Sequence, residues 1–183
     1  MSKVLSNHFH GTTGERNFPI IHQQSEENTI NHRIRELDLR EHPVKHKSVL
    51  SIKAIKEKVN NRTASKDDYK KYDTMRRLAK RRKKGVETFW KQERRRIKTG
   101  ETTTRNWTAE QRNDILNNRI PKIGGKSLQG HHTYSVSSYP HLANKGEIIF
   151  PATFEEHLYY WHGGNFRNSL PGRPFKRNKK KGE

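Results

Sequence analysis

Three times along this chain a Ser or Thr is followed, three residues later, by a side chain able to return its hydrogen bond: Ser65 with Asp68, Thr108 with Gln111, and Thr153 with Glu156. Each pair is a capping box, in which the hydroxyl accepts from the N3 backbone N–H while the acid or amide reaches back to the cap's own N–H. Helix starts are thereby placed, and stop signals place the ends. Pro121 requires the second of these helices to close near Asn118, Gly124-Gly125 breaks the chain, and Gly163 is a natural stop for the third. Between Gly125 and Thr153 the sequence turns strand-like, so the expected class is α+β, with short strands between helices. No internal repeat is visible.

Val49, Ile52, Ile55 and Val59 fall at helical spacing and predict a helix over 48–60. The helix opened by Ser65 runs to about Lys84, with a narrow apolar stripe of Tyr69, Tyr72, Met75, Leu78 and Ala79. Arg76, Arg77, Lys80, Arg81, Arg82, Lys83 and Lys84 coat the rest. Such a helix packs one edge and presents the other to phosphates. A second basic run, Lys91 to Lys98, includes Arg94, Arg95 and Arg96 and surrounds Phe89, Trp90 and Ile97. Those apolar residues read as core anchors, and the run reads as an arm that tracks a nucleic-acid backbone without reading bases.

Charge decides the partner class. The chain carries 39 Lys and Arg against 19 Asp and Glu, a formal net charge of +20. The imbalance peaks in the middle: residues 65–100 hold 15 basic and 5 acidic residues, or +10. So large an excess costs self-repulsion and points to a polyanion, nucleic acid. Only 28% of the residues are hydrophobic and 32% are charged, too little apolar material for one core over the whole length. Residues 1–47, with scattered His, Asn and Gly, are expected to be the irregular part. Cysteine is absent, which excludes disulfides and thiolate metal sites. Neither a signal-peptide core nor an apolar run of about 18 residues is present, so no membrane segment is expected and export would not use simple Sec cleavage.

The chemistry concentrates in Gly130-His131-His132, then Ile148-Ile149-Phe150, then the segment from Thr153 through His157 to His162-Gly163-Gly164. His131 and His132 lie on what should be the first strand of a hairpin closed by 148–150, and His157 lies on the short helix that follows. Neighbouring strand residues point to opposite faces. One imidazole can therefore take a metal while its neighbour, redirected at a bulge or strand end, faces water, and a helical His completes the site. Neutral imidazole suits a transition ion, and two or three protein ligands leave positions open for phosphate and water. Phosphodiester hydrolysis needs this set: a cation, a base and a rigid frame.

These residues resemble the HNH/endonuclease-VII superfamily with its ββα-metal fold, shared with nuclease colicins, and above all the Gly-His-His toxins found at the C-termini of LXG-type and other polymorphic toxins. Four tracts carry the resemblance: 107–112, 125–136, 139–143 and 161–168. It spans roughly 105–175, with nothing N-terminal to it. The resemblance implies a small ββα-metal core in which His131 and His157 are metal ligands, His132 is the general base and His162 is a candidate third ligand. It further implies one divalent ion, with Mg2+, Mn2+, Zn2+ and Ni2+ as candidates, and a cognate acidic immunity protein as partner. Asn165 and Arg167 are candidates to contact the phosphate or the leaving oxygen, and Lys126 is a weaker one. His141, in a loop beside Pro140, reads as structural.

Two departures stand out. Colicin-like sites separate the last two histidines by four residues, whereas His157 and His162 differ by five. On a regular helix five residues rotate the side chain by about 140°, where four rotate it by about 40°. Either the helix loosens near Gly163, or His162 meets phosphate and the metal keeps two histidines. The usual Asn before the second strand falls near Glu147, so the loop brace is altered, and Asn144 or a main-chain group is a possible substitute.

The expected organisation is an irregular extension or leader (1–47), a basic helical region (48–104), an HNH-like nuclease domain (105–175) and a basic tail (176–183). The expected function is a largely sequence-nonspecific, metal-dependent endonuclease, with DNA favoured, acting as a secreted or injected antibacterial toxin effector in the target-cell cytoplasm. The rival readings are an RNase with the same site and a non-catalytic, basic nucleic-acid-binding protein.

Overall fold

The computed structural model describes residues 29–43 and 52–166. Arg167, Val49, the tail and the first 28 residues lie outside them. All three capping boxes close in both directions. Ser65 Oγ accepts from Asp68 N at 3.1 Å while Asp68 Oδ2 accepts from Ser65 N at 3.2 Å. The corresponding pairs are 3.2 and 3.1 Å for Thr108 with Gln111, and 3.1 and 2.8 Å for Thr153 with Glu156.

Helix α1 spans Ile52–Asn60 and folds back on α2, Lys66–Thr99, where Lys58 pairs with Asp68 at 3.4 Å. Helix α3 spans Ala109–Leu116, and Asn118 leaves it with φ 61, so the stop falls where Pro121 requires. The length of α2 corrects the expected end near Lys84. It continues unbroken through Gly85 for 34 residues and ends at Gly100, whose φ is 70. A glycine inside a helix costs about 1 kcal/mol relative to Ala. Burial of Phe89 and Trp90 on the next turns outweighs that.

Gly124 and Gly125, both at positive φ, do not merely break the chain. They form the two-residue turn of a hairpin joining β1, Lys122–Ile123, to β2, Lys126–Ser127. A second hairpin pairs β3, Gln129–His132, with β4, Ile149–Ala152, placing His131 opposite Phe150 and His132 opposite Ile149. Between these strands run single 3-10 turns at Pro140–Leu142 and Gly146–Ile148. After β4 a short α turn at 154–155 passes into a π-helix, Glu156–Trp161. The class is α+β: mixed helices and two small antiparallel pairs, with a hairpin followed by a helix at its centre.

One core joins these elements. Phe89 and Trp90 from α2 meet Trp107, Ile115 from α3, Ile149 and Phe150 from β4, and Trp161 from the π-helix. Residues 29–33 are helical, and Ile30 (0% exposed) and Ile34 enter the same core. The irregular extension expected over 1–47 is thus corrected in this part. Ile30 and Ile34, with partly buried Leu37 packed against the same core, anchor a segment that is otherwise mostly polar. Beneath Trp90, the Glu93 carboxylate is fully buried and accepts four hydrogen bonds: from Thr104 N and Trp107 Nε1, both at 2.7 Å, and from Arg96 Nη1 and Thr104 Oγ1, both at 2.9 Å. A charge so satisfied tolerates burial. Arg33 donates to Thr104 Oγ1 and to the Thr102 carbonyl, extending the network to the N-terminal segment.

Candidate active site

Gly130 explains how β3 reaches its place. A Cβ there would meet Val86 methyls of α2 at 2.7 and 2.9 Å, so only glycine lets the strand lie this close to the helix. From that position the next two side chains diverge as strand geometry dictates. His131 is 6% exposed and turns toward the π-helix, stacking on Trp161 with centroids 4.6 Å apart and a 27° interplanar angle. His132 turns toward α2 and the 140–144 loop. Its Nε2 lies 3.0 Å from the Ala143 carbonyl oxygen. A carbonyl only accepts, so Nε2 carries the proton and Nδ1 keeps its lone pair.

His131, His157 and His162 converge. Each offers a ring nitrogen, and the three nitrogens lie within 4.8 Å of one another. Ring centroids are 5.0 Å apart for 131 and 157, 5.1 Å for 131 and 162, and 5.0 Å for 157 and 162. The five-residue spacing is no obstacle, because the helix is π-wound. Hydrogen bonding from i to i+5 brings side chains five apart onto one face, and such turns are frequent at functional sites. The loosening therefore begins at Glu156 and not at Gly163. Of the two alternatives left by the sequence, the one in which His162 joins the other two describes the structure.

The frame around these rings is hydrogen-bonded. Gln129 Oε1 accepts from His157 Nδ1 at 2.5 Å, leaving Nε2 of that ring free to coordinate. Arg105 grips Glu156 with two bonds, 2.7 and 2.9 Å, and donates to the Pro151 carbonyl at 2.9 Å, tying the start of the π-helix to β4. Burial, then the neighbouring His157 and His162, drives His131 down to about 2. Burial likewise lowers His132 to about 4, against the opposing bond to Ala143, and His157 to about 4. All three are neutral near pH 7, the form that binds a metal or accepts a proton. His131, His157 and His162, three imidazoles without a carboxylate, form a donor set that could hold a transition ion.

The other predicted residues divide. Arg82 is exposed on α2, and its charge disfavours protonation of His131, His132 and His157 alike, which places it on the site's side of the helix. Arg76, Lys80, Lys83 and Lys84 are exposed, as is Arg77, paired with Asp73 at 2.8 Å. Arg96 corrects the expected interface, because it is 6% exposed and bonded to buried Glu93. Its neighbours are also engaged, Arg94 with the Ile115 carbonyl at 3.0 Å and Arg95 with Glu101 at 3.3 Å. Lys126 lies 3.7 Å from Glu155. Arg81 donates to the His141 carbonyl at 2.8 Å and to Asn144 Oδ1 at 3.0 Å. Asn165 is exposed just past the π-helix, its N–H bonded to the His162 carbonyl at 3.2 Å. His141 bonds the Asp38 carbonyl at 2.8 Å, outside the histidine cluster.

Glu147 stands where the Asn brace is expected and accepts from Gln92 at 2.7 Å. Sequence reasoning assigned no role to Gln129, Arg105 or Gly85. Gln129 sits two residues before His131, so period-two alternation alone places it on the same face.

Residues 73–153 match the model of a family described as GHH signature containing HNH/Endo VII superfamily nuclease toxin. Over this segment the chain is similar to that family. Gly130-His131-His132 is its signature here, and the resemblance read from the residues holds. Its extent is corrected, for the match begins within α2, well before residue 105, as the packing of Val86 and Phe89 against the hairpin and its loop requires. It ends at residue 153, so His157 and His162 lie beyond it, joined to the signature by geometry. No curated protein matches the chain. Among the described residues no helix is long and apolar enough to cross a membrane.

Proposed function

We propose that this chain is a metal-dependent endonuclease toxin, acting on DNA by preference and with little sequence selectivity. The observation that carries the reading is the meeting of three imidazoles beside a fourth whose tautomer is fixed. His131, His157 and His162 would hold one divalent ion, and an all-imidazole set favours Zn2+ or Ni2+ over Mg2+, which prefers oxygen. When bound, that ion supplies a Lewis acid for the phosphate and balances charge on the leaving oxygen. His132, pinned through Nε2, receives the proton of the attacking water at Nδ1. Arg82, with Arg76, Lys80, Lys83 and Lys84 behind it on α2, holds the phosphate backbone, a contact that gives affinity without base information. Asn165, at the exit of the π-helix, and Arg167 are the further candidates for the phosphate.

As a toxin it would act in the cytoplasm of a target cell, and the producing cell would need an inhibitor. An acidic immunity protein fits a chain of net charge +20, and its association rate should fall as salt rises. A domain end near 175 belongs to the same proposal, with α2 serving both the core and the substrate.

Plasmid and RNA incubated with the purified chain, across a metal series and with chelator, test the reading together with His132→Ala. Cleavage that chelator abolishes and that the variant lowers by about 10²–10⁴-fold is expected. Cleavage of RNA alone would transfer the same site to an RNase. Both substrates bound yet intact, or a His132→Ala variant as active as the parent, would overturn it.

A further inference from the structure

The Ala143 carbonyl that fixes His132 belongs to a loop, and loops do not hold a carbonyl still without help. The help here comes from the face of α2 turned toward that loop. Arg81 reaches out one turn before Gly85, and its single Nη2 takes the His141 carbonyl at 2.8 Å and Asn144 Oδ1 at 3.0 Å. These acceptors flank Ala143 on either side in sequence. One turn further, Gly85 leaves the space in which Ala143 sits: a Cβ at residue 85 would lie 2.5 Å from the Ala143 oxygen and 3.3 Å from His132 Nε2. The same face continues to Phe89, whose N would be 2.7 Å from a Cβ on Gly146, and to Gln92, bonded to Glu147.

We infer that Arg81 is a positioning residue for His132, doing from the long helix what an Asn before the second strand would do from within the loop. The guanidinium clamps both flanks of Ala143, the glycine admits its carbonyl against the helix, and that oxygen holds the proton on Nε2. Nδ1 is thereby kept as the lone pair that faces the reaction. Bonds from a cation to a carbonyl and an amide oxygen are charge-assisted and stronger than neutral ones. This assigns Arg81 away from the phosphate-binding set in which its neighbours remain. The inference rests on His132 being the base.

Two readouts separate the inference from that assignment. The first is the ring 15N spectrum of His132 in the metal-free, full-length chain, which reports the tautomer whether or not the protein cleaves anything. The parent should show one tautomer with Nδ1 unprotonated, Arg81→Ala should show both in exchange, and Arg81→Lys should restore most of the single form. The second readout is kinetic. Arg81→Ala should lower kcat by about 10–100-fold, as loss of an outer-shell partner does, with KM changed less than about twofold. Asn144→Ala, which removes one of the two acceptors, should give a smaller loss of the same kind. If Arg81→Ala keeps the parent's tautomer, or raises KM while sparing kcat, Arg81 is a phosphate contact and the inference fails. If the tautomer shifts as expected but His132→Ala cleaves normally, the clamp stands and the assignment of His132 as base falls.

Discussion

The two halves of α2 are both crowded with arginine and lysine, yet they do unlike work. From Lys66 to Lys84 the basic residues are exposed and the helix touches the rest of the molecule along one edge. From Gly85 to Thr99 the helix buries Phe89, Trp90, Glu93 and Arg96, and Arg94 and Arg95 are spent on protein acceptors. Positive charge is therefore a poor guide to nucleic-acid contact at the level of single residues. A cation next to a buried carboxylate is part of the fold, and the same cation three turns earlier is free to meet phosphate. Gly85 marks the change, where the helix passes from solvent to contact with the loop that holds His132.

Substitutions that treat the halves alike should expose this difference. Glu93→Ala in the buried half leaves Arg96 and Trp107 Nε1 without their acceptor. It should cost about 3–5 kcal/mol, read from urea midpoints; a loss below about 1 kcal/mol would mean the second half is not the anchor described. Acid should act next most strongly. His131 and His132 are held well below the ordinary histidine value of about 6.5. Between that value and about 4 the unfolded chain takes up protons that these rings refuse. Stability is then fully present above about pH 6.5 and falls on acidification, by on the order of 1.4 kcal/mol per pH unit for each ring. Unfolding midpoints at pH 7 and pH 5 check this, and equal midpoints would contradict the burial of the pair.

The smallest effect on stability belongs to the exposed half. Replacing Arg76, Lys80 and Lys83 together by Gln should move the unfolding free energy by no more than about 0.5 kcal/mol per site. It should still weaken nucleic-acid binding and lower the slope of log affinity against log salt by about 2 to 3. An unchanged slope would remove this half from the interface.

Much of the arrangement was legible from the residues, because local chemistry fixes it. Each capping box needs only two side chains three apart, and all three formed. The β3–β4 hairpin followed from Gly130-His131-His132 and Ile148-Ile149-Phe150 on either side of a long loop. The convergence of His131 with His157 followed from placing one on a strand and one on the next helix. What stayed hidden depends on contacts between distant segments. Gly85 looks like a helix breaker until the Ala143 carbonyl is seen to need its space, so α2 was expected to end too early. Ile30 and Ile34 look isolated in a polar stretch until the core they enter is known. Arg96 and Arg82 are indistinguishable as letters, and only the position of Glu93 tells them apart. Gln129 and Arg105 are ordinary residues until His157 and Glu156 stand beside them.

The winding of the last helix has a wider consequence. A helix made one residue overfull preserves the arrangement its side chains show to their surroundings while altering the count of letters between them. A search that demands two imidazoles four positions apart would pass over this molecule, although the triangle of nitrogens it seeks is present. In a site of this kind the object that does the chemistry is a shape, and the interval in the written chain is only one way of producing it.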